Sequence, residues 1–284
     1  MKYQPVGFCI YCRAQNVTLG EEHIIPYALN GAMVLPEASC KKCEKETHIY
    51  EHTVCRRIFG NFRIRYNVRS RRKKNRPSHI EIGTISSDGK KGKTLVPATE
   101  LPVTLFLYKF EESDYLKGNK EKDSKFNWVP TSIFSKKELD KLIEKHNWNQ
   151  KLEVKMVPVE FARMLGKIAY SFTVAEVTLE GFTPFQQLID VILNQDNNIS
   201  YLIGGDWEIP TPDPAGFHHI ALKYMVRDGY VDVIVEIRLF PAFETPLYRV
   251  VVGTIDLSNQ KQKLSLDKKL AKGIKNGTVE IFDP

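Results

Sequence analysis

Cys9-Ile10-Tyr11-Cys12, Glu21-Glu22-His23-Ile24-Ile25-Pro26 and Cys40-Lys41-Lys42-Cys43 all stand in the first 43 residues of a 284-residue chain. Two C-x-x-C knuckles a few tens of residues apart can give four thiolates to one tetrahedral zinc, because each knuckle bends the chain until both of its sulfurs face the same ion. We therefore expect Cys9, Cys12, Cys40 and Cys43 to hold one structural zinc. A unit of about sixty residues buries too little apolar surface to stand alone, and such an ion contributes folding energy outright. The fifth cysteine, Cys55, has no close partner and reads as a small apolar core residue.

Between the knuckles, the stretch ending at Pro26 reads as a strand that the proline stops. On a strand, Glu22 and His23 project to opposite faces. One of them can then reach a metal through a bend while the other addresses a phosphate. Past the second knuckle a helix is expected from about Cys43 to Phe59. On it Glu44 and His48 share a face, as do His48 and His52. The plain alternatives are a His23 that only braces or joins the zinc loop, and a helix whose polar residues are merely solvated.

Together these pieces resemble the zinc-stapled form of the HNH, or His-Me finger, endonucleases. The resemblance covers roughly residues 7–60, about a fifth of the chain. It implies a ββα fold that clamps one divalent metal and hydrolyses phosphodiesters. Carried over by position, His23 is the general base for the attacking water, a role suited to a group that titrates near neutrality. Glu22 is the acidic ligand of the catalytic ion, and an oxygen-rich site favours Mg2+ or Mn2+. The helix ligand implied is His48, then Glu44, with Glu51 and His52 as further candidates, since colicin-type members use a two-histidine helix face. The pattern departs in two places. Leu35-Pro36-Glu37-Ala38-Ser39 lacks the family's middle Asn, leaving Asn30 and Ser39 as substitutes, and Glu44 stands where the family's helical Asn or His follows the second knuckle.

Charge placement agrees with a polyanionic partner. Residues 1–76 hold fifteen Lys/Arg against six Asp/Glu, while the remaining 208 hold 26 against 28, so the whole excess of the +7 chain sits in its first quarter. Arg56, Arg57, Arg63, Arg65, Arg69, Arg71, Arg72, Lys73, Lys74 and Arg76 follow the helix. Such a stretch can grip phosphates without reading sequence; the alternative is a solvated linker.

The fold class expected is α+β: an N-terminal ββα-metal module with its zinc over residues 1–62, a basic connector over 63–77, and a mixed α+β domain over 78–284 for target recognition or interaction. In that domain strands are expected near His79–Ile85, Val103–Phe110, Phe217–Val226, Tyr230–Phe240 and Tyr248–Val252, and helices after Pro158 and from Thr183-Pro184. Gly204-Gly205-Asp206 reads as a turn, and of His218-His219 one is expected buried and one exposed. No catalytic cluster is legible there. No run approaches the ~18 apolar residues of a membrane span, and residues 1–5 carry no apolar signal region. The expectation is a cytoplasmic DNA endonuclease acting on double-stranded DNA, possible homodimers included, with a non-catalytic zinc-finger nucleic-acid binder and an RNA or structure-specific nuclease as the rival readings.

Overall fold

The computed structural model of the chain describes residues 1–69, 76–85, 88–101, 104–119, 125–134, 136–145, 151–152, 156–276 and 281–282. The chain opens with β1 (Leu19–His23), a single 3-10 turn (Tyr27–Leu29), β2 (Val34–Cys40), α1 (Lys41–Arg57) and α2 (Gly60–Arg65). Then come β3 (His79–Ile85), β4 (Lys91–Pro97), β5 (Thr104–Phe110), β6 (Trp128–Phe134), α3 (Lys136–Lys145), β7 (Lys151–Leu152), α4 (Pro158–Val177), β8 (Thr183–Pro184) and α5 (Gln186–Ile192). The chain closes with β9 (Ile203–Gly205), β10 (His218–Val226), β11 (Tyr230–Leu239), β12 (Tyr248–Asp256), α6 (Gln260–Asn276) and β13 (Ile281–Phe282). The mixed α+β class is as expected. No helix among the described residues is long and apolar enough to cross a membrane.

β1 and β2 form an antiparallel hairpin with Leu19 opposite Cys40 and His23 opposite Val34, and the register slips between Gly20 and Glu22. That irregularity is the bend the Glu-Glu-His stretch needed. The connecting loop folds back tightly at Gly31, where a Cβ would lie 1.8 Å from the carbonyl oxygen of Ile25, so only glycine fits. α1 starts directly on the second knuckle, with Cys40 as its N-cap residue. Glu44 in its first turn and Arg56 and Arg57 in its last match the helix dipole.

The larger sheet runs β13-β10-β11-β12-β8, with β9 also pairing β12. β3, β4 and β7 make a three-stranded sheet, and β5 and β6 a separate pair. α4 packs between α1 and the larger sheet. Its middle is buried on every side: Phe161, Ala162, Met164, Leu165, Ile168, Ala169 and Tyr170 are all fully buried, and so is Lys167. Its Ser171 and Thr173 hydroxyls donate back to the carbonyls of Lys167 (2.8 Å) and Ala169 (3.0 Å).

Three details differ from the sequence reading. Thr183-Pro184 does not start a helix; it bridges to β12, and α5 begins two residues later, once backbone pairing releases the chain. Gly204-Gly205 lies in β9 rather than in a turn, because a Cβ at Gly204 would come within 2.3 Å of the Ser113 nitrogen and glycine lets that backbone close in. The expected connector begins inside α2, whose Phe62 is buried against Phe240 and Phe243 (ring centroids 4.5 and 5.7 Å). One cluster of buried side chains includes residues from Cys9 to Leu266.

His218 and His219 divide as expected, one half-buried and one exposed. His218 ties the two regions together, its Nε2 lying 2.6 Å from the Leu29 carbonyl. Burial pushes its imidazole down to about 4, against the partial opposition of that carbonyl. A base depressed in the folded state is protonated first in the unfolded chain. The stability from keeping it neutral is full above pH ~6.5 and is lost as pH falls toward 4, about 3 kcal/mol in all. Urea unfolding at pH 7 and pH 4 should therefore show a stability drop smaller by roughly that amount in His218→Gln than in the native chain; equal drops would show that His218 is not the group responsible.

Candidate metal centre and acidic–histidine cleft

The four expected cysteines converge. Their sulfurs all lie within 4.8 Å of one another, with Cys12 and Cys40 3.6 Å apart. Cys9, Cys40 and Cys43 are buried and Cys12 is at the surface. The first knuckle is stitched to β2 by the Ile10 N–H donating to Ala38 O (2.8 Å), and it turns through Arg13 at φ 60° with its N–H on Cys9 O (2.9 Å). The Cys43 thiol directs its proton at the Cys9 sulfur. With the backbone N–H groups of Cys12, Cys40 and Tyr11, and against the cost of burial, this pulls the Cys9 thiol down to about 4. Four sulfurs this close fit a tetrahedral thiophilic ion. The cluster could hold a metal ion, plausibly zinc.

Beside it, β1 and the exposed face of α1 enclose a cleft of about 390 Å³. His23, Glu22, Glu44, His48, Glu51 and His52 all line it, so the structure gathers the acidic and histidine candidates of the hairpin and helix into one place. Their orientations differ. His23 is half-buried at the end of β1, its ring edge-on to Tyr27 (5.7 Å). His48 and His52 are exposed, one turn apart, with ring centroids 5.8 Å apart. Burial, Arg56 and His48 together hold the His52 imidazole below its ordinary value. Glu44 is exposed and paired with Lys41 (3.0 Å).

Glu22 is only 6% exposed and turns inward. There it meets a residue that the sequence reading did not single out. Lys167, from α4, is 1% exposed, and its Nζ lies 2.5 Å from Glu22 Oε1 and 2.9 Å from Glu51 Oε1. The same ammonium donates to the carbonyl of His23 and lies 3.5 Å from that of Ile24. Burial drives the Glu22 carboxyl up, the nearby Glu51 adds to this, and Lys167 opposes it. Burial alone would depress the Lys167 ammonium, but the two carboxylates more than offset it and raise the group.

Glu22, Glu44 and His48 accordingly do not converge on one point. Among the described residues the four cysteines are the only cluster of three or more ligand side chains close enough for one ion. Glu22 is drawn into the protein by Lys167, while Glu44 and His48 stay at the rim. The inner oxygens of Glu22 and Glu51 have the hard-donor chemistry of a Mg2+ or Mn2+ site, and the cation between them is Lys167. Neither substitute for the missing Asn lines the cleft: Asn30 accepts the Arg69 backbone N–H on its Oδ1 (2.9 Å), and Ser39 is buried.

Of the basic candidates, Arg56 and Arg63 line the cleft. Arg57 and Arg69 are exposed, Arg65 pairs with Glu138 (3.7 Å), and Arg76 folds back onto Asn67 Oδ1 and the Val68 carbonyl. Arg71, Arg72, Lys73 and Lys74 lie outside the described residues. Cys55 lines the cleft too, its thiol pushed up to about 12 by burial and by Glu51, so it stays a protonated core group.

A signal for Lys167 was present in the sequence: a lone lysine in the apolar run Phe161 to Val174, four residues after Arg163, needs a buried partner. Nothing in the sequence says that the partners are Glu22 and Glu51. Comparison with protein-family models, with curated proteins and with solved structures gives no match for this chain.

Proposed function

We propose that the chain is a metal-dependent endonuclease that hydrolyses phosphodiester bonds in DNA. The observation that carries this reading is the single cleft in which His23 meets the Glu44–His48–Glu51–His52 face of α1, with Arg56 and Arg63 lining it. His23 is the general base: its imidazole takes the proton of the attacking water. Arg56 and Arg63 present guanidinium forks that hold a phosphate by its backbone oxygens, a contact that positions but does not read sequence. Glu22 and Glu51 are the groups that would hold Mg2+ or Mn2+, with His48 and Glu44 standing at the rim of the same cleft. Such an ion supplies Lewis-acid polarisation of the phosphate and neutralises the leaving oxygen. The cysteine cluster fixes hairpin to helix, and so sets the width of the cleft.

Supercoiled plasmid incubated with the purified chain and MgCl2 or MnCl2 should convert to nicked or linear DNA. His23→Ala should slow that conversion by at least ~100-fold, the usual worth of a general base, with DNA binding retained. Cleavage by His23→Ala at the native rate would remove His23 from its role, and no cleavage of DNA or RNA with either metal would remove the activity. One observation favours a second reading: the ammonium of Lys167 already neutralises Glu22 and Glu51. A binder that keeps this fold without catalysis would retain the DNA through its arginines and leave the plasmid intact. An RNA substrate in the same assay separates a ribonuclease, since the chemistry is common to both sugars.

A further inference from the structure

We infer that Lys167 is a built-in competitor for the divalent ion of this cleft: its ammonium and the ion take the same two carboxylates, so α4 sets the metal affinity of the site. The inference rests on the metal-dependent reading above and says how that site is regulated. Four oxygens surround one nitrogen: Glu22 Oε1 at 2.5 Å, Glu51 Oε1 at 2.9 Å, the His23 carbonyl, and the Ile24 carbonyl at 3.5 Å. Two carboxylate and two carbonyl oxygens are the donor set that a hard divalent cation selects. An ammonium can use the same set because it too is a small cation that needs anionic and carbonyl oxygens when buried.

The two cations exclude each other. Lys167 is 1% exposed at the wall of the cleft, where its ammonium is already ion-paired with Glu22 and Glu51 and donates to His23 O. A divalent ion that reached both carboxylates would stand within a few ångströms of that ammonium, where like charges in a water-poor site repel strongly. Binding therefore requires Lys167 to withdraw, and the free energy of its two ion pairs is subtracted from that of the metal. The present arrangement also leaves a polar atom unserved. Tyr50 is buried beside both carboxylates, close enough that they act on its acidity, and among the described residues its hydroxyl has no hydrogen-bond partner. A hydrated ion brings water molecules to such a group, whereas an ammonium does not. Lys167 comes from a helix far along the chain and packed against α1, so anything that moves α4 changes the occupancy of the cleft.

The test is calorimetric titration of MnCl2 into the zinc-loaded, full-length chain and into its Lys167→Met variant, with thermal unfolding followed at each manganese concentration. Methionine keeps an unbranched side chain one atom shorter and removes its charge. Lys167→Met should bind Mn2+ at least tenfold more tightly than the native chain, and its melting temperature should rise with manganese by more than the native chain's does. Equal or weaker binding in the variant overturns the competition. If the variant does not fold without a divalent ion, refolding with zinc present, with and without millimolar MnCl2, decides instead. Recovery of the native circular dichroism spectrum only with manganese supports the inference, and no recovery with manganese overturns it. Cleavage is not read in either arm. A chain that cuts no nucleic acid can still show the manganese gain, and a nuclease whose Lys167→Met variant binds manganese no better sinks this inference alone.

Discussion

Replacing Cys40 or Cys43 by serine is expected to unfold the N-terminal hairpin and the start of α1. Both residues sit at the β2–α1 junction, Cys40 as the last residue of the strand and the helix N-cap, Cys43 within the first turn. Their sulfurs and those of Cys9 and Cys12 lie within 4.8 Å, so loss of one thiolate removes a quarter of a ligand set on which both knuckles depend. Structural zinc contributes roughly 10–16 kcal/mol in small zinc units, whereas whole domains are held by about 5–15 kcal/mol. A zinc held there would contribute enough to decide the fold of this part of the chain. Elemental analysis should find one zinc per native chain and none in the serine variants, and the helical dichroism band should fall with it. Cys55→Ala is the control: buried but outside the cluster, it should cost about 1 kcal/mol and keep the zinc. A metal-free chain with the native melting curve would remove the cluster from its structural role.

A fragment ending after Pro77 is expected not to fold, even when loaded with zinc. The sequence alone suggests a separate N-terminal module over residues 1–62. The structure gives that module a partner surface it cannot lose. Tyr170 donates to the Ile10 carbonyl inside the first knuckle (2.6 Å) and packs its ring on Tyr11 (5.7 Å). Phe59 packs its ring tilted against Phe161 and Phe240 (6.4 and 5.6 Å), as Phe62 does against Phe240. Burying one phenylalanine contributes about 1.5–3 kcal/mol. Exposing Phe59 and Phe62 alone thus removes an amount near the lower end of ~5–15 kcal/mol, the stability of a whole domain. Truncation would also strip Glu22 and Glu51 of Lys167, leaving two inner carboxylates with no counter-charge. Dispersed amide resonances from the zinc-loaded fragment would show that the module is independent after all.

Local chemistry was legible in the sequence because its causes are local. Two C-x-x-C pairs can bring four sulfurs together whatever follows them. Strand alternation separates Glu22 from His23, and the 3.6-residue period puts His48 and His52 on one face of α1. The structure keeps all of these: the sulfurs converge, Glu22 is buried while His23 is half-buried, and both helix histidines line one cleft. The apolar period after Pro158 gave α4 with the proline in its first turn. Strands β10 and β11 fall where they are expected, and the turn between them includes Gly229 at φ 82°.

Tertiary structure decided what the chain does with those pieces. No local rule says which helix covers α1, and so none says that Lys167, 145 residues after Glu22, completes the inner side of the cleft. The same long-range packing carries Phe62, the last residue of the expected module, onto Phe240 and Phe243. It also draws Glu22 inward to Lys167, away from Glu44 at the rim. The physical reason is common to all three. Knuckles, periods and caps act through neighbours a few residues apart along the chain. A buried charge or ring is stabilised by whatever partner the folded core brings to it, and that partner can come from any distance in sequence.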